Sequence, residues 1–385
     1  MLERSPKAIA IDPHARLSDS IFGDCSRDRP VPDTLTLGVL EGEGIGSDVI
    51  RAALRVLYAL EQMGLRKFNV QFGGLIGHKA EAVHGKPLSN EVIKFCHGVF
   101  ADGGAILAGP GGGRFVYDLR KKFDLFCKVS PLKVCGQLLD SIRVKREYVR
   151  GVDILVVREN VARIYQGIWT ERAAVSEGRR AEHSFSYTER EVRRILGVAT
   201  RLASRRRGML TVVIKDGGIP SVSNLWRSCA GDVSREAGVE HSCLNVDHIA
   251  YQLVQSPQQF DVIVTSNLFG DILADLGSVL LGSRALGYSG NFSSNGSAVY
   301  QTGHGAGYDL VGKNQANPMG QIFSLAMLLR ESFCLAAEAE LIERAAAWVW
   351  QQGWRTSDLA NNGNRVVGTK EMGELVAEAL VEISS

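Results

Sequence analysis

From residue 34 onward the chain alternates between two hydrophobic rhythms. Short apolar runs (LTLGVLE at 35–41, FNVQFGG at 68–74, GAILAGP at 104–110) have the length and composition of buried strands. Between them, GSDVIRAALRVLYALEQMG (46–64) and NEVIKFCHGVFADG (90–103) repeat apolar residues every three or four positions, the spacing of a helix with one buried face. Further strands read in VDILVVREN (152–160), LTVVIKD (210–216), HSCLNVD (241–247) and FDVIVTS (260–266), with helices between them. Residues 321–350 read as helix throughout. Strands alternating with helices predict an α/β fold with largely parallel pairing. Residues 1–33 are polar, broken by prolines and without period, and are expected to form a mobile extension ahead of the fold.

Composition narrows the function classes. A chain of 385 residues can bury two cores, and a net charge of +2 gives no sign of a nucleic-acid or membrane surface. The densest basic run, Arg205, Arg206 and Arg207, lies at the end of a predicted helix, where cations complement the helix dipole. Seven dispersed cysteines without a C-x-x-C pair read as reduced thiols of a cytoplasmic protein. No apolar run reaches membrane-span length, and no signal-peptide core is present at the N-terminus.

Chemistry concentrates where strands end, the usual ligand-binding edge of α/β folds. Arg158 and Glu159 close one strand and Lys215 another; Asp247 follows a third, and Asp271 and Asp275 follow FDVIVTS. Asp271 and Asp275 stand one helical turn apart in an apolar stretch, where two carboxylates repel unless a cation holds them. Three carboxylates without His or Cys suggest a hard cation, Mg²⁺ or Mn²⁺. Asp247 and Asp271 also read as helix-start residues stabilised by N–H groups, and Tyr165 as a half-buried strand tyrosine. The turn GEGIGSD (42–48) misses the G-x-G-x-x-G spacing of a Rossmann site by one residue.

These segments together resemble the isocitrate and isopropylmalate dehydrogenase family, the β-decarboxylating dehydrogenases, from about residue 34 to the C-terminus. FDVIVTSNLFGDILADLGS (260–278) looks like that family's metal-site signature, LRKKFDLF (119–126) its substrate-arginine segment, and RENVARIYQG (158–167) its catalytic-tyrosine segment. GHGAGYDLVGKNQANP (303–318) looks like its adenosine loop, and RTSDL and VGTKEMG near the end also match. The resemblance implies a two-domain fold that is not a Rossmann fold. Its first domain would be discontinuous, residues 34–126 and 283–385. Residues 127–282 would form the second domain, with segment 160–187 as an arm pairing across a homodimer. By position, Asp271, Asp275 and a partner subunit's Asp247 would hold the divalent cation. Lys215 matches the group accepting the hydroxyl proton, Tyr165 the group protonating the enol carbon, and Arg120 and Arg158 two carboxylate ligands. Both acid–base groups are expected to need lowered pKa values, which a nearby Mg²⁺ and partial burial would supply. His304, Gly305, Asp309, Leu310 and Asn317 fall in the cofactor loop; a carboxylate at Asp309 disfavours a 2′-phosphate, so NAD is expected over NADP.

The departures from the family pattern lie near the substrate. CKVSP (127–131) places Lys128 and Ser130 where the pattern has Asn and Arg, so one of three arginines that grip the malate carboxylates is missing. Lys128 and Ser130 would still line the substrate, in a roomier site, with Lys128 or Arg114 as the replacement charge. Segment 113–117, with Arg114, Val116 and Tyr117, matches neither the isocitrate nor the isopropylmalate version. DGGIP follows Lys215 where a small residue and an Asn are usual. The reading implied is an NAD-dependent dehydrogenase acting on a malate with a polar or anionic 3-substituent met by Arg114. The alternatives are 3-isopropylmalate or isocitrate dehydrogenase proper, or a catalytically reduced regulatory subunit.

Overall fold

The computed structural model describes Leu17 and residues 32–162, 164–173 and 178–384. The expected extension and Cys25 therefore fall almost wholly outside the described residues. Strand β1 (Thr34–Leu40) leads to α1 (Gly46–Gln62) and β2 (Lys67–Phe72). Helices α2 (Gly77–His84) and α3 (Asn90–Ala101), β3 (Ala105–Ala108) and α4 (Phe115–Lys122) follow. The middle of the chain adds β4 (Cys127–Lys133), β5 (Asp153–Glu159), β6 (Ile168–Ala173), β7 (Arg179–Ser184) and α5 (Glu189–Ser204). Next come β8 (Met209–Ile214), α6 (Pro220–Ala237), β9 (Glu240–Asn245), α7 (Val246–Gln255), β10 (Val262–Thr265) and α8 (Asn267–Gly277). Strands β11 (Tyr288–Phe292) and β12 (Ala298–Thr302) precede α9 (Met319–Glu331), α10 (Ala336–Gln351) and, at the end, α11 (Thr369–Glu382).

Ten strands share one sheet, ordered β2-β1-β3-β12-β11-β4-β5-β10-β8-β9. Both ends pair in parallel, as the strand–helix alternation predicts, but β12/β11, β11/β4 and β4/β5 are antiparallel. That join escaped the sequence reading because β4, β11 and β12 lack the long crossover helices that announce parallel pairing. It matters for the site, because register sets Lys128 opposite Arg158 and Ser130 opposite Val156. β6 and β7 form a separate two-stranded ribbon, within the segment expected to be an arm. The C-terminal part returns to the beginning: β12 lies beside β3, and α9 and α11 pack on α1.

The expectation of unbroken helix over 321–350 fails at Cys334, whose φ of 60° is left-handed and separates α9 from α10. The arginine run also does more than complement a helix end. Arg206 Nε donates to the fully buried Asp261 at 2.8 Å, and the Arg207 backbone N–H donates to its other oxygen at 2.9 Å. The glycine-rich turn after β1 is a docking turn. Gly44 lies so close to the later loop that a Cβ there would stand 1.9 Å from the Ala306 carbonyl. Beside it, buried Glu43 accepts from the Lys79 and Gly112 backbone N–H groups at 2.9 and 2.6 Å.

Candidate active site

Arg158, at the end of β5, is the centre of a buried group. Its Nε and Nη2 donate to Asn267 Oδ1 at 2.9 and 2.6 Å, and its Nη1 pairs with Asp271 Oδ1 at 2.5 Å. Tyr165, in the turn before β6, donates its hydroxyl to Asp271 Oδ2 at 3.0 Å. Asp271 lies beyond the first turn of α8, so the helix-start explanation fails for it. Burial alone would raise its carboxyl, but the Arg158 and Lys128 charges and then the Tyr165 hydrogen bond hold it below the usual carboxylate range. Burial, reinforced by the Asp271 charge, pushes the Tyr165 hydroxyl up; the lowering expected from sequence belongs to the site with its cation bound. Tyr165 is thereby kept protonated, the state a proton donor requires. Asn267, inside the metal-site motif, holds Arg158 in place.

Asp275 meets a different cation, Arg284, at 2.5 Å. Arg284 was not singled out in the sequence; a lone arginine after a Gly-Ser pair carries no pattern. Lys215 Nζ donates to Asp247 Oδ1 at 2.6 Å, and that hydrogen bond lowers the Asp247 carboxyl. Asp247 sits in the first turn of α7, as its helix-start reading allows. Among the described residues no three His, Cys, Asp or Glu side chains converge, so Asp247 does not join Asp271 and Asp275 within one chain.

The floor of the site is cationic. Arg120 on α4 is 5% exposed and Lys128 and Ser130 on β4 are each 8% exposed. Burial, with the Arg158 charge adding to it, pushes the Arg120 guanidinium down to about 9. Burial and then the neighbouring arginines put Lys128 well below the ordinary ammonium range. Arg114 stands at the rim of the site, its side chain 42% exposed, and ties itself to the Tyr165 turn. Its Nη2 donates to the Tyr165 carbonyl at 2.9 Å, and its guanidinium lies over the rings of Trp169 and Tyr117 at 4.9 and 5.6 Å. Gln166 Nε2 donates to the Tyr117 carbonyl at 3.0 Å, so α4 and the Tyr165 turn are joined twice.

A cavity of about 490 Å³ opens beside the glycine turn, lined among others by Ile45, Arg284, His304, Gly305, Leu310 and Asn317. His304 Nδ1 lies 2.9 Å from the Gly305 carbonyl, while its buried Nε2 has no partner among the described residues. Asn317 Nδ2 donates to Asp358 at 3.1 Å. Asp309 is exposed at the cavity's edge, outside the lining. An orphaned ring nitrogen and an amide facing an apolar cleft suit an adenosine moiety. The acidic pair, all hard oxygens and half exposed, suits a divalent cation.

Comparison with known proteins agrees with this arrangement. The family model described as isocitrate/isopropylmalate dehydrogenase matches residues 36–376. A 3-isopropylmalate dehydrogenase of Carboxydothermus hydrogenoformans is 40% identical over 89% of this chain and 94% of its own length. One of Geobacillus kaustophilus is 36% identical over 91% and 96%. The crystal structure of isocitrate dehydrogenase from Methylococcus capsulatus superposes with a TM-score of 0.79 at 29% identity, covering 90% of this chain and 99% of that one. With its family signature over nearly the whole folded length and the Arg158–Asp271–Tyr165 group assembled, the chain belongs to the isocitrate/isopropylmalate dehydrogenase family and is an enzyme of that dehydrogenase type.

Proposed function

We propose that the protein catalyses the NAD-dependent, Mg²⁺- or Mn²⁺-dependent oxidative decarboxylation of a 3-substituted malate to a 2-oxo acid. The observation that carries this reading is Asp271, held ionised between Arg158 and the protonated Tyr165 hydroxyl. Asp271 and Asp275, with a partner chain's Asp247, would hold the divalent cation. The bound cation would supply Lewis-acid polarisation of the substrate hydroxyl and carboxylate, and bound NAD would supply the hydride acceptor. Arg120 and Arg158 bind and orient carboxylates. Lys215, through water, receives the hydroxyl proton, and Tyr165 returns a proton to the carbon that loses CO₂. His304, Gly305, Leu310 and Asn317 would seat the adenosine, with Asp309 at the rim disfavouring a 2′-phosphate.

Each site on this reading needs two chains. Lys215 and Asp247 form a pair of their own, without contact to the Arg158 group. The helices carrying the aspartates expose Tyr251, Val254 and Ile272, and the β6–β7 ribbon exposes Ile168 and Trp169. Apolar side chains exposed on the same elements as the metal aspartates support a homodimer that buries them. Residues 34–126 with 283–385, and residues 127–282, serve as its two domains. A cytoplasmic location suits the free thiols of the six described cysteines.

The 3-substituent faces segment 113–117 and is polar or anionic, because Arg114 keeps N–H donors beyond the one given to Tyr165. The second reading, 3-isopropylmalate itself, is favoured by the names of the curated relatives. The purified chain, given Mn²⁺, NAD or NADP and a panel of 3-substituted malates, decides between them by kcat/KM from reduced-nicotinamide absorbance. A best rate on 3-isopropylmalate supports the second reading, and no reduced nicotinamide with any malate refutes both.

A further inference from the structure

One buried lysine has no part in the reaction just described, and its surroundings call for an anion. β4 is paired so that Lys128 stands across from Arg158 on one side and Asn291 on the other. Directly opposed residues project from the same face of a sheet, so Lys128 shares the face that carries Arg158. Both Lys128 and Arg120 are more than nine-tenths buried. Neither has a hydrogen-bond acceptor among the described residues; Arg120 meets only the ring face of Tyr117, at 5.8 Å. Asn291 Oδ1 is already engaged by Asn160 Nδ2 at 3.0 Å, and Asp271 by Arg158 and Tyr165. Neither Lys128 nor Arg120 has a nitrogen among the buried unpartnered atoms of the described residues, so the stems are buried while the charged ends reach the open site, where a ligand anion can meet them.

The neighbours exclude the other replacements for the arginine missing at position 130. Ser130 lies on the same face but opposite Val156, one pleat farther from Asp271, and its side chain carries no charge. Arg114 spends a donor on the Tyr165 carbonyl, and its side chain is 42% exposed at the rim.

We propose that Lys128 binds a substrate carboxylate, together with Arg120 and Arg158, as the third cation of the carboxylate site. The third positive charge has moved two residues along β4, onto the level of Arg158. There a compact ammonium makes a point contact where a guanidinium would make a two-pronged one. Substrates must therefore present a free carboxylate in this corner, and one in which it is replaced by a neutral amide loses the contact. This rests on the malate reading above.

The test is calorimetric titration of the full chain, loaded with Mn²⁺, with malate as probe. Lys128→Met should weaken malate about 10–100-fold, the value of a charge-assisted contact. NAD affinity, followed by protein fluorescence, should stay unchanged. Lys128→Asn/Ser130→Arg, which moves the cation back along β4, should recover most of the malate affinity. Equal malate binding by wild type and Lys128→Met overturns the proposal. Should Lys128→Met fail to fold, the double variant decides: folding without malate binding also overturns it. Turnover is read separately. Malate binding that depends on Lys128 in a chain that oxidises no malate upholds this inference and removes the proposed reaction. Turnover indifferent to Lys128→Met does the reverse.

Discussion

The Arg158 group and the Lys215–Asp247 pair both join a cation at the end of a strand to an aspartate in the helix that follows a neighbouring strand. They are built to different standards. Arg158 is 3% exposed on its side chain and is fixed by Asn267 and Asp271 at once, while Asp271 is also bonded by Tyr165. Lys215 and Asp247 are 40% and 67% exposed and hold only each other. In an exposed pair of that kind solvent screens most of the attraction, and separating it costs little. Removing one partner from a buried cation costs several times as much. The Arg158 group is thus fixed within the chain, while the Lys215–Asp247 pair is held loosely, as the two-chain site proposed above requires.

Breaking the rigid half should have the largest effect. Asp271→Asn removes the charge that Arg158 and Tyr165 share, and activity should fall about 10²–10³-fold. The Tm should fall as well, because Arg158 is left buried without its counter-charge; Asp247→Asn should leave the Tm almost unchanged. Thermal denaturation of the two variants in parallel checks the contrast, and equal losses would erase the distinction between the halves.

Mixing inactive chains tests the labile half. Lys215→Ala and Tyr165→Phe chains, allowed to exchange subunits, should recover about a quarter of wild-type activity, since half the dimers are hybrids with one intact site. No recovery after exchange verified by mass would place all these residues in one chain's site.

The smallest effect concerns the scaffold behind the rigid half. Glu159, next to Arg158 but on the opposite face, is fully buried and accepts from the Ala162 N–H at 2.8 Å; burial pushes its carboxyl up to about 7. Its folded pKa lies above its unfolded value, so between the ordinary carboxylate range and about 7 the folded state binds the extra proton. Stability should therefore decline as pH rises through that window. Glu159→Gln, which keeps the shape without the charge, should flatten the decline in urea midpoints measured across it.

Much of the site was legible before any coordinates. Asp271, Asp275, Tyr165 and Arg158 come from compact motifs at strand ends, and the strands that carry them read from their apolar runs. The arginine that meets Asp275 was not legible, because Arg284 lies in a 3₁₀ turn outside any motif. Arg114 was legible as a cation but not as a link to Tyr165, since 51 residues separate the two. The charge nearest Tyr165 was hidden for a similar reason. Whether a phenol is raised or lowered depends on which charge folding brings nearest, and here that charge is Asp271.

By itself the sequence determined the alternation of strands and helices, the reduced cysteines, the acidic pair and the family signature. Each of these is written in residues near one another along the chain, where spacing alone carries the information. Only the tertiary structure decided the antiparallel join of the sheet, and with it the side-by-side placement of Lys128 and Arg158. It also decided which cation each aspartate meets. Such pairings depend on strand register and on burial, and the free energy of a charge is set by its distance to other charges and to water, which no local pattern encodes.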